Sequence, residues 1–141
     1  MNRTASARWT GSLKDGSGTL TAPSGVLKDT PYSFAARFEG KPGTNPEELI
    51  AAAHAGCFSM ALSRMLGATG FTPASIDTTA SVTIENGGGG FSITAVHLSV
   101  DAEVPGIAEQ EFQSVAANAK ANCPVSKVLN AKISMEARLI G

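Results

Sequence analysis

The sequence predicts an α+β fold in which antiparallel β-sheets pack on central helices. Three observations lead to it: short stretches of alternating apolar and polar residues, one long apolar helix, and a glycine run, Gly87 to Gly90, between two β-rich segments. Period-two alternation is typical of half-buried strands, and a capped apolar stretch is typical of a buried helix. The predicted order of elements is βββ-α-ββ-αα-β, in a single domain over residues 1–141.

The first 38 residues are expected to form three short strands. The first spans Thr4 to Thr10, and the second covers Thr19 to Thr21. The third runs from Tyr32 to Phe38, where apolar residues alternate with small or polar ones. On this interpretation Arg37 ends a strand, close to the loop that leads into the long helix.

The central helix is predicted to run from Pro46 to about Leu66. Asn45 is a good N-cap residue, proline suits the first helical position, and Glu47 and Glu48 favour the positive end of the helix dipole. No charged residue occurs from Leu49 to Ser63. We therefore expect both sides of this helix to be buried.

The second half of the chain contains the remaining predicted elements. Its Thr-, Val- and Ile-rich segments indicate strands, and Pro-containing turns mark the helix starts. These elements are a strand from Ser75 to Glu85, a return strand from Phe91 to Val104, helices over about 107–121 and 124–129, and a final strand from Lys132 to Ile140.

The composition is that of a globular protein with few charges. Hydrophobic residues make up 43% of the chain and charged residues 16%, with a formal net charge of -1. The absence of a basic block argues against a nucleic-acid partner. No signal peptide is recognisable, and no stretch approaches the roughly 20 consecutive apolar residues of a membrane span. We expect a cytoplasmic protein without membrane or nucleic-acid partners, whose low surface charge suits contact with another subunit.

The chain has two cysteines, and the position of each suggests thiol chemistry. Cys57 lies in the apolar helix, where Ala or Leu would pack equally well. Cys123 directly precedes Pro124 at the start of a predicted helix, where free backbone amides favour a thiolate. The alternative is that Cys57 is a small core residue and Cys123 a surface residue without function. Their separation in the sequence leaves the pairing open.

Two charged residues could assist a thiol. Glu48 is well placed to cap the helix, which leaves Glu47 as the freer carboxylate. Arg37 can supply the cation that a thiolate in an apolar pocket needs, because burial raises a thiol's pKa. Its planar guanidinium can in turn be held by Glu47.

His54 lies one helical turn before Cys57 and has several possible roles. It could act as a base, or bind zinc together with His97 and both cysteines. The spacings typical of zinc sites are missing, so we expect no metal and a buried histidine with a hydrogen-bonded ring. No dinucleotide- or phosphate-binding loop is present, so we expect no cofactor either.

Several strings of the sequence together resemble one protein family. They are Arg37-Phe38-Glu39-Gly40, the segment from Asn45 to Leu62 with His54-Ala55-Gly56-Cys57 at its centre, and Cys123-Pro124-Val125-Ser126. In these strings, and along essentially its whole length, the chain resembles the OsmC/Ohr family of thiol peroxidases. The segment around Cys57 is more similar to the OsmC branch than to the organic-hydroperoxide-resistance branch.

The resemblance implies a fold, an activity and site residues. It implies an intertwined homodimer with two central helices, in which Cys57 reacts with peroxide, Cys123 resolves the product, and Arg37 and Glu47 are the polar partners of Cys57. It also implies reduction of organic hydroperoxides, and less efficiently of hydrogen peroxide, to alcohol and water. The cycle would pass through a Cys57 sulfenic acid and a Cys57–Cys123 disulfide, recycled by an external dithiol such as a lipoylated protein.

Helix geometry gives a separate reason to expect a dimer. Glu47 and Cys57 are separated by about 15 Å along a straight helix and point about 80° apart around it. If two copies of the helix cross at a twofold axis, Glu47 of one copy can approach Cys57 of the other.

Two other functions remain open from the residues alone. Cys57 could be the nucleophile of a hydrolase that catalyses no redox reaction, although no base or oxyanion hole can be assigned. The chain could instead be a non-catalytic stress-response binding protein. For a peroxidase, we expect an apolar pocket wall drawn from Phe58, Met60 and Leu62.

Overall fold

Ten secondary-structure elements follow one another in the computed structural model, which describes residues 1–141. The contacts divide the chain into two units, Met1–Leu49 and Ile50–Gly141. The elements are β1 (Ser6–Thr10), β2 (Ser17–Thr21), β3 (Thr30–Tyr32), α1 (Phe34–Phe38), α2 (Pro46–Ala68), β4 (Ser75–Asn86), β5 (Phe91–Glu103), α3 (Glu109–Asn122), α4 (Pro124–Val128) and β6 (Lys132–Ile140).

The first unit contains a three-stranded antiparallel sheet in the order β1-β2-β3. Gly18 of β2 pairs with Trp9 on one side and with Tyr32 on the other. The two aromatic rings pack with their centroids 5.4 Å apart. They occupy the space that a Cβ atom at Gly18 would need, so a side chain at this position would displace them.

The third predicted strand is wrong in its second part, where the chain forms the short helix α1. Its N-cap is Ser33, whose Oγ atom accepts a hydrogen bond from the Ala36 N–H at 3.0 Å. Such a cap competes with strand pairing, and here it ends β3 at Tyr32. Arg37 therefore lies in the last turn of a helix and not at the end of a strand.

Helix α2 begins where the sequence predicts. The Oδ1 atom of Asn45 accepts a hydrogen bond from the Glu48 N–H at 2.8 Å, which confirms the predicted cap. The helix continues to Ala68, slightly beyond the predicted end. After it, the Phe71 N–H donates to the carbonyl of Leu66 at 2.9 Å and closes the last turn.

Only one side of α2 is buried within the single chain, and the cover predicted for its other side would have to come from a second copy. Fully buried side chains recur every fourth residue, at His54, Phe58, Leu62 and Leu66. The opposite side is exposed, and Met60 keeps 77% of its surface accessible. The other exposed residues near the middle of this side are small, namely Ala52, Ala53 and Gly56.

The length and composition of α2 also correct one sequence-based expectation. Its 23 residues, Pro46–Ala68, contain a window of mean hydropathy 1.4, of which 28% is buried, so by these two criteria the helix could cross a membrane. The core helix of a soluble protein meets the same criteria, so they are weak support for a membrane span.

The second unit contains a sheet in the order β4-β5-β6. Strands β4 and β5 form a long antiparallel hairpin with one irregularity between Thr83 and Ile84, whereas β5 and β6 run parallel. The core of this unit joins α2, β5 and α3 through a cluster that includes Phe58, Leu98 and Phe112. The predicted α+β class with antiparallel sheets and helices is confirmed, and the parallel β5–β6 pair adds to it.

Candidate thiol site

The two cysteines meet in the second unit. The Sγ atoms of Cys57 and Cys123 are 3.1 Å apart, and both thiols are free. Cys57 lies in the middle of α2 and is partly exposed, whereas Cys123 joins α3 to α4 and has no exposed surface. A disulfide bond is about 2 Å long. Closing one here therefore requires a movement of only about 1 Å.

The surroundings of the two sulfurs shift their pKa values in opposite directions. Burial, and then the contact with Cys123, raise the pKa of the Cys57 thiol, although the Val125 amide opposes this. Burial also raises the pKa of Cys123, but hydrogen bonds from the Ser126 amide, from Cys57, from the Ser126 hydroxyl and from the Val125 amide outweigh it and lower this pKa overall. Of the two thiols, Cys123 therefore has the lower pKa and the greater thiolate character.

His54 has the buried, hydrogen-bonded ring that the sequence predicts. Its Nε2 atom lies 2.7 Å from the Oγ atom of Ser126, and both residues are buried. Its Nδ1 atom is buried without a hydrogen-bond partner. Burial lowers the pKa of His54, so its ring is neutral at pH 7. His97, the other histidine of the considered zinc set, lies on β5 with its Nδ1 atom 2.7 Å from Ser134 Oγ.

The four side chains form two adjacent contacts between α2 and the start of α4. His54 and Cys57 are one helical turn apart on α2, and Cys123 and Ser126 are separated by the first turn of α4. The histidine meets the serine, and one cysteine meets the other. Ser126 was not among the residues predicted for the site, although it belongs to a string that carries the family resemblance.

A groove of about 620 Å³ opens at Cys57. Phe58 and Leu62 have no exposed surface, so they cannot form the pocket wall that was expected of them. Met60 is the one member of that predicted set that lines the groove. The lining residues are Cys57, Met60, Ala61, Arg64, Asn122 and Pro124.

Arg37 and Glu47 meet in the first unit. The Nη2 atom of Arg37 lies 2.6 Å from Oε1 of Glu47, and its Nε atom lies 3.1 Å from each carboxylate oxygen. The Phe38 ring centroid lies 5.1 Å from the guanidinium carbon. Glu48 is occupied differently, because Thr44 Oγ1 donates to its carboxylate at 2.7 Å. The structure therefore leaves Glu47 free to hold Arg37.

An apolar cavity of about 290 Å³ lies beside this ion pair in the first unit. Aromatic side chains form much of its wall, and no signal in the sequence pointed to it. Its lining residues are Trp9, Leu13, Tyr32, Ser33, Phe34, Arg37, Phe38 and Pro46.

Comparison with known proteins shows one family. The family model described as OsmC-like protein matches residues 38–138. The chain is 52% identical to peroxiredoxin OsmC of Escherichia coli over 139 residues, which cover 99% of this chain and 97% of that protein. It is 30% identical to organic hydroperoxide resistance protein OhrB of Bacillus subtilis over 123 residues, 86% of this chain and 88% of the relative.

The fold agrees with this assignment. The crystal structure of OhrB of Bacillus subtilis superposes with a TM-score of 0.69 at 26% sequence identity, and the match covers 96% of this chain and 98% of that one. The chain therefore belongs to the OsmC-like protein family.

Proposed function

We propose that this chain reduces hydroperoxides by a cycle in which Cys57 is oxidised and Cys123 closes a disulfide with it. The 3.1 Å distance between the two free Sγ atoms supports this cycle most directly. That the chain is a peroxide-reducing enzyme follows from its family, because it is 52% identical to a peroxiredoxin over nearly its whole length. An organic hydroperoxide resistance protein is also among its relatives.

The proposed cycle has three balanced steps. The Cys57 thiolate attacks the terminal peroxide oxygen, the O–O bond breaks, and the alkoxide leaves and takes up a proton as the alcohol. Cys57 then carries a sulfenic acid. The Cys123 thiolate attacks that sulfur, the S–O bond breaks, and hydroxide leaves and becomes water. An external dithiol, such as a lipoylated protein, then reduces the disulfide to two thiols and is itself oxidised to a disulfide.

The first step needs a cation near Cys57. Because burial raises the pKa of this thiol, little thiolate forms without one. We assign this role to Arg37, which Glu47 holds in a fixed orientation through three short contacts. The same guanidinium can donate a hydrogen bond to the peroxide.

The working unit in this proposal is a homodimer with shared sites. Glu47 and Cys57 lie on the same helix, about 15 Å apart along its axis, so one copy of α2 does not bring them together. The exposed side of α2 favours a second copy, because its Ala and Gly residues let another helix approach closely. Burial of Met60, which is 77% exposed in the single chain, would accompany that contact.

The aromatic cavity beside Arg37 is the binding place we propose for the organic part of the substrate. Its volume of about 290 Å³ and its apolar wall suit an alkyl or aryl group. Hydrogen peroxide has no such group and gains nothing from the cavity. Organic hydroperoxides should therefore be the better substrates. A cytoplasmic location, where reduced thiols are maintained, fits the two free cysteines.

The test is a peroxide-consumption assay with purified protein. Cumene hydroperoxide and hydrogen peroxide are compared, with dihydrolipoamide as the dithiol reductant and Cys57→Ser as the matched control. We expect consumption that depends on both the dithiol and Cys57 and is faster with the organic peroxide. Consumption by Cys57→Ser at the wild-type rate would exclude the proposed cycle.

A further inference from the structure

The buried contact between His54 and Ser126 is not used in the cycle described above. The two side chains come from helices α2 and α4, and they meet at 2.7 Å directly beside the contact between the cysteines. His54 has no exposed surface, and Ser126 has 8%. Burying a polar pair in this way is unfavourable unless each group is well hydrogen-bonded. We therefore ask what this hydrogen bond between His54 and Ser126 contributes to the thiol site.

The unpartnered Nδ1 atom of His54 selects the direction of this hydrogen bond. If Nδ1 carried the proton, a buried N–H would have no acceptor, which is rare in native proteins. Placing the proton on Nε2 leaves only a lone pair without a partner. Nε2 then donates to Ser126 Oγ, and the serine hydroxyl must direct its own proton elsewhere.

Cys123 is close to that hydroxyl in the fold, because it is the N-cap residue of α4, the helix that carries Ser126. Ser126 follows Cys123 by three residues, in the first turn of α4. The Ser126 amide and hydroxyl both contribute to the lowered pKa of Cys123. The contact of His54 with Ser126 at 2.7 Å and that of Cys123 with Cys57 at 3.1 Å thus both join α2 to the first turn of α4, where Ser126 follows Cys123 by three residues.

We propose that His54 and Ser126 are positioning residues for Cys123, which hold its sulfur as a thiolate directed at Cys57. The inference rests on the proposed cycle, since it assigns these residues to disulfide closure. In that step the Cys123 thiolate supplies the electron pair of the new S–S bond, and the oxygen of the Cys57 sulfenic acid leaves as hydroxide. The contribution that we assign to them is to the second step, in which Cys123 is the nucleophile.

The experiment titrates Cys123 directly, by the ultraviolet absorbance of its thiolate, in a Cys57→Ser background where it is the only thiol. Ser126→Ala and His54→Leu remove the hydroxyl and the ring donor, respectively. Ser126→Thr keeps a hydroxyl, and His54→Gln keeps an amide donor at a similar reach. The chain also offers a matched control, since His97 and Ser134 form another histidine–serine contact of 2.7 Å, outside the thiol site. Ser134→Ala removes that hydroxyl.

We expect Ser126→Ala and His54→Leu to raise the pKa of Cys123, so that its thiolate fraction at neutral pH falls about tenfold for every increase of one in that pKa. Ser126→Thr and His54→Gln should retain the wild-type titration of Cys123, and Ser134→Ala should leave that titration unchanged. With Cys57 present, rapid quenching after peroxide addition should show slower conversion of the sulfenic acid to the disulfide in Ser126→Ala and His54→Leu than in wild type.

An unchanged Cys123 titration in either variant overturns the inference, and so does disulfide closure at the wild-type rate. The titration uses no peroxide, so its outcome does not depend on the proposed function. A protein whose Cys123 titration moves as expected but that consumes no peroxide contradicts the cycle, while normal peroxide turnover with an unchanged titration contradicts only the role of His54 and Ser126.

Discussion

Arg37 and Glu47 form a closely spaced ion pair that joins the end of α1 to the first turn of α2. The Arg37 side chain keeps 35% of its surface exposed and that of Glu47 keeps 10%. A pair with this much contact to solvent adds at most about 1 kcal/mol to stability. The main effect of the ion pair is therefore to orient Arg37, because a planar guanidinium held at two atoms presents its remaining donors in a fixed direction.

Replacing Arg37 should slow the reaction of Cys57 much more than it destabilises the fold. Arg37→Ala is expected to raise the pKa of Cys57 in the assembled protein, with about a tenfold loss of thiolate for every increase of one in that pKa. Arg37→Lys should restore only part of the lost thiolate of Cys57, because an ammonium group cannot be held at two atoms in a plane. The measurement is the pH profile of Cys57 alkylation in a Cys123→Ser background.

The matched control for this variant is Arg138→Ala. Arg138 forms an exposed ion pair with Asp101, with contacts of 2.7 and 2.8 Å, on strands β6 and β5. Its loss should leave the alkylation profile unchanged. The same profile in Arg37→Ala and wild type would show that Arg37 does not supply the cation.

Replacing Cys57 and replacing Cys123 should affect the reaction with peroxide differently. Cys57→Ser should abolish peroxide turnover, because the sulfur that is oxidised first is gone. Cys123→Ser should keep the first oxidation but expose Cys57 to further oxidation, since no thiol remains to resolve the sulfenic acid. Intact-mass measurement after one equivalent of peroxide distinguishes them: wild type loses two hydrogens, and Cys123→Ser gains oxygen. A disulfide-linked dimer as the main product of wild type would contradict closure within the chain.

Shared sites can be tested by mixing two defective chains. Cys57→Ser and Glu47→Gln should each be inactive alone. A heterodimer of the two contains one composite site that carries neither substitution. Random exchange should then give about one quarter of wild-type activity, because half of the dimers are mixed and each has one of two sites intact. Each variant incubated alone is the control. Failure to recover activity after verified subunit exchange would count against shared sites.

The exposed side of α2 should be essential for self-association. Met60→Lys places a charge on that side and should shift the protein towards the monomer in sedimentation measurements. Val128 is also 77% exposed but lies at the end of α4, so Val128→Lys is a control with the same change in charge and starting exposure. Equal effects of both substitutions, or none from Met60→Lys, would show that the face around Met60 does not form the subunit contact.

Burial of His54 should make the fold sensitive to mild acid. Its pKa lies below 6.5 in the native chain, so in this range the unfolded chain binds a proton that the native chain does not. Stability rises with pH wherever the unfolded state binds more protons. The contribution of His54 to the free energy of unfolding should therefore fall as the pH drops below about 6.5 towards the lower native pKa. Denaturant titrations from neutral to mildly acid pH should show that the free energy of unfolding falls less steeply in His54→Gln than in wild type. The same fall in both proteins would contradict this.

Local signals in the sequence were sufficient to place α2. Asn45, Pro46 and the two glutamates specify its start through short-range capping and dipole effects, and these do not depend on the rest of the fold. The same kind of signal was overlooked at Ser33, whose cap starts α1. There the alternation from Tyr32 to Phe38 suggested a strand, and a helix of five residues has too few turns to show a period of its own.

Long-range relationships could not be obtained in this way. Ser126 lies 72 residues from His54, and their contact depends on how α4 returns to α2 after the β4–β5 hairpin. The parallel pairing of β5 with β6 depends on the same return of the chain. For the two cysteines, family resemblance supplied what spacing did not. Phe58 and Leu62 were misassigned to a pocket wall because an apolar helix does not reveal from its own sequence which side meets the core.

The unequal accessibility of Cys57 and Cys123 gives the recycling step of the proposed cycle a direction. In the single chain Cys57 is partly exposed and can meet an incoming thiol, whereas Cys123 has no exposed surface. Exchange at Cys57 expels Cys123, and a sulfur with a lowered pKa is the faster leaving group. The mixed disulfide with the reductant should therefore form on Cys57, the residue that met the peroxide. Peroxide and reductant would then react at Cys57 one after the other. A bulky electrophile bound to Cys57 would therefore block both the oxidation of the protein and its reduction.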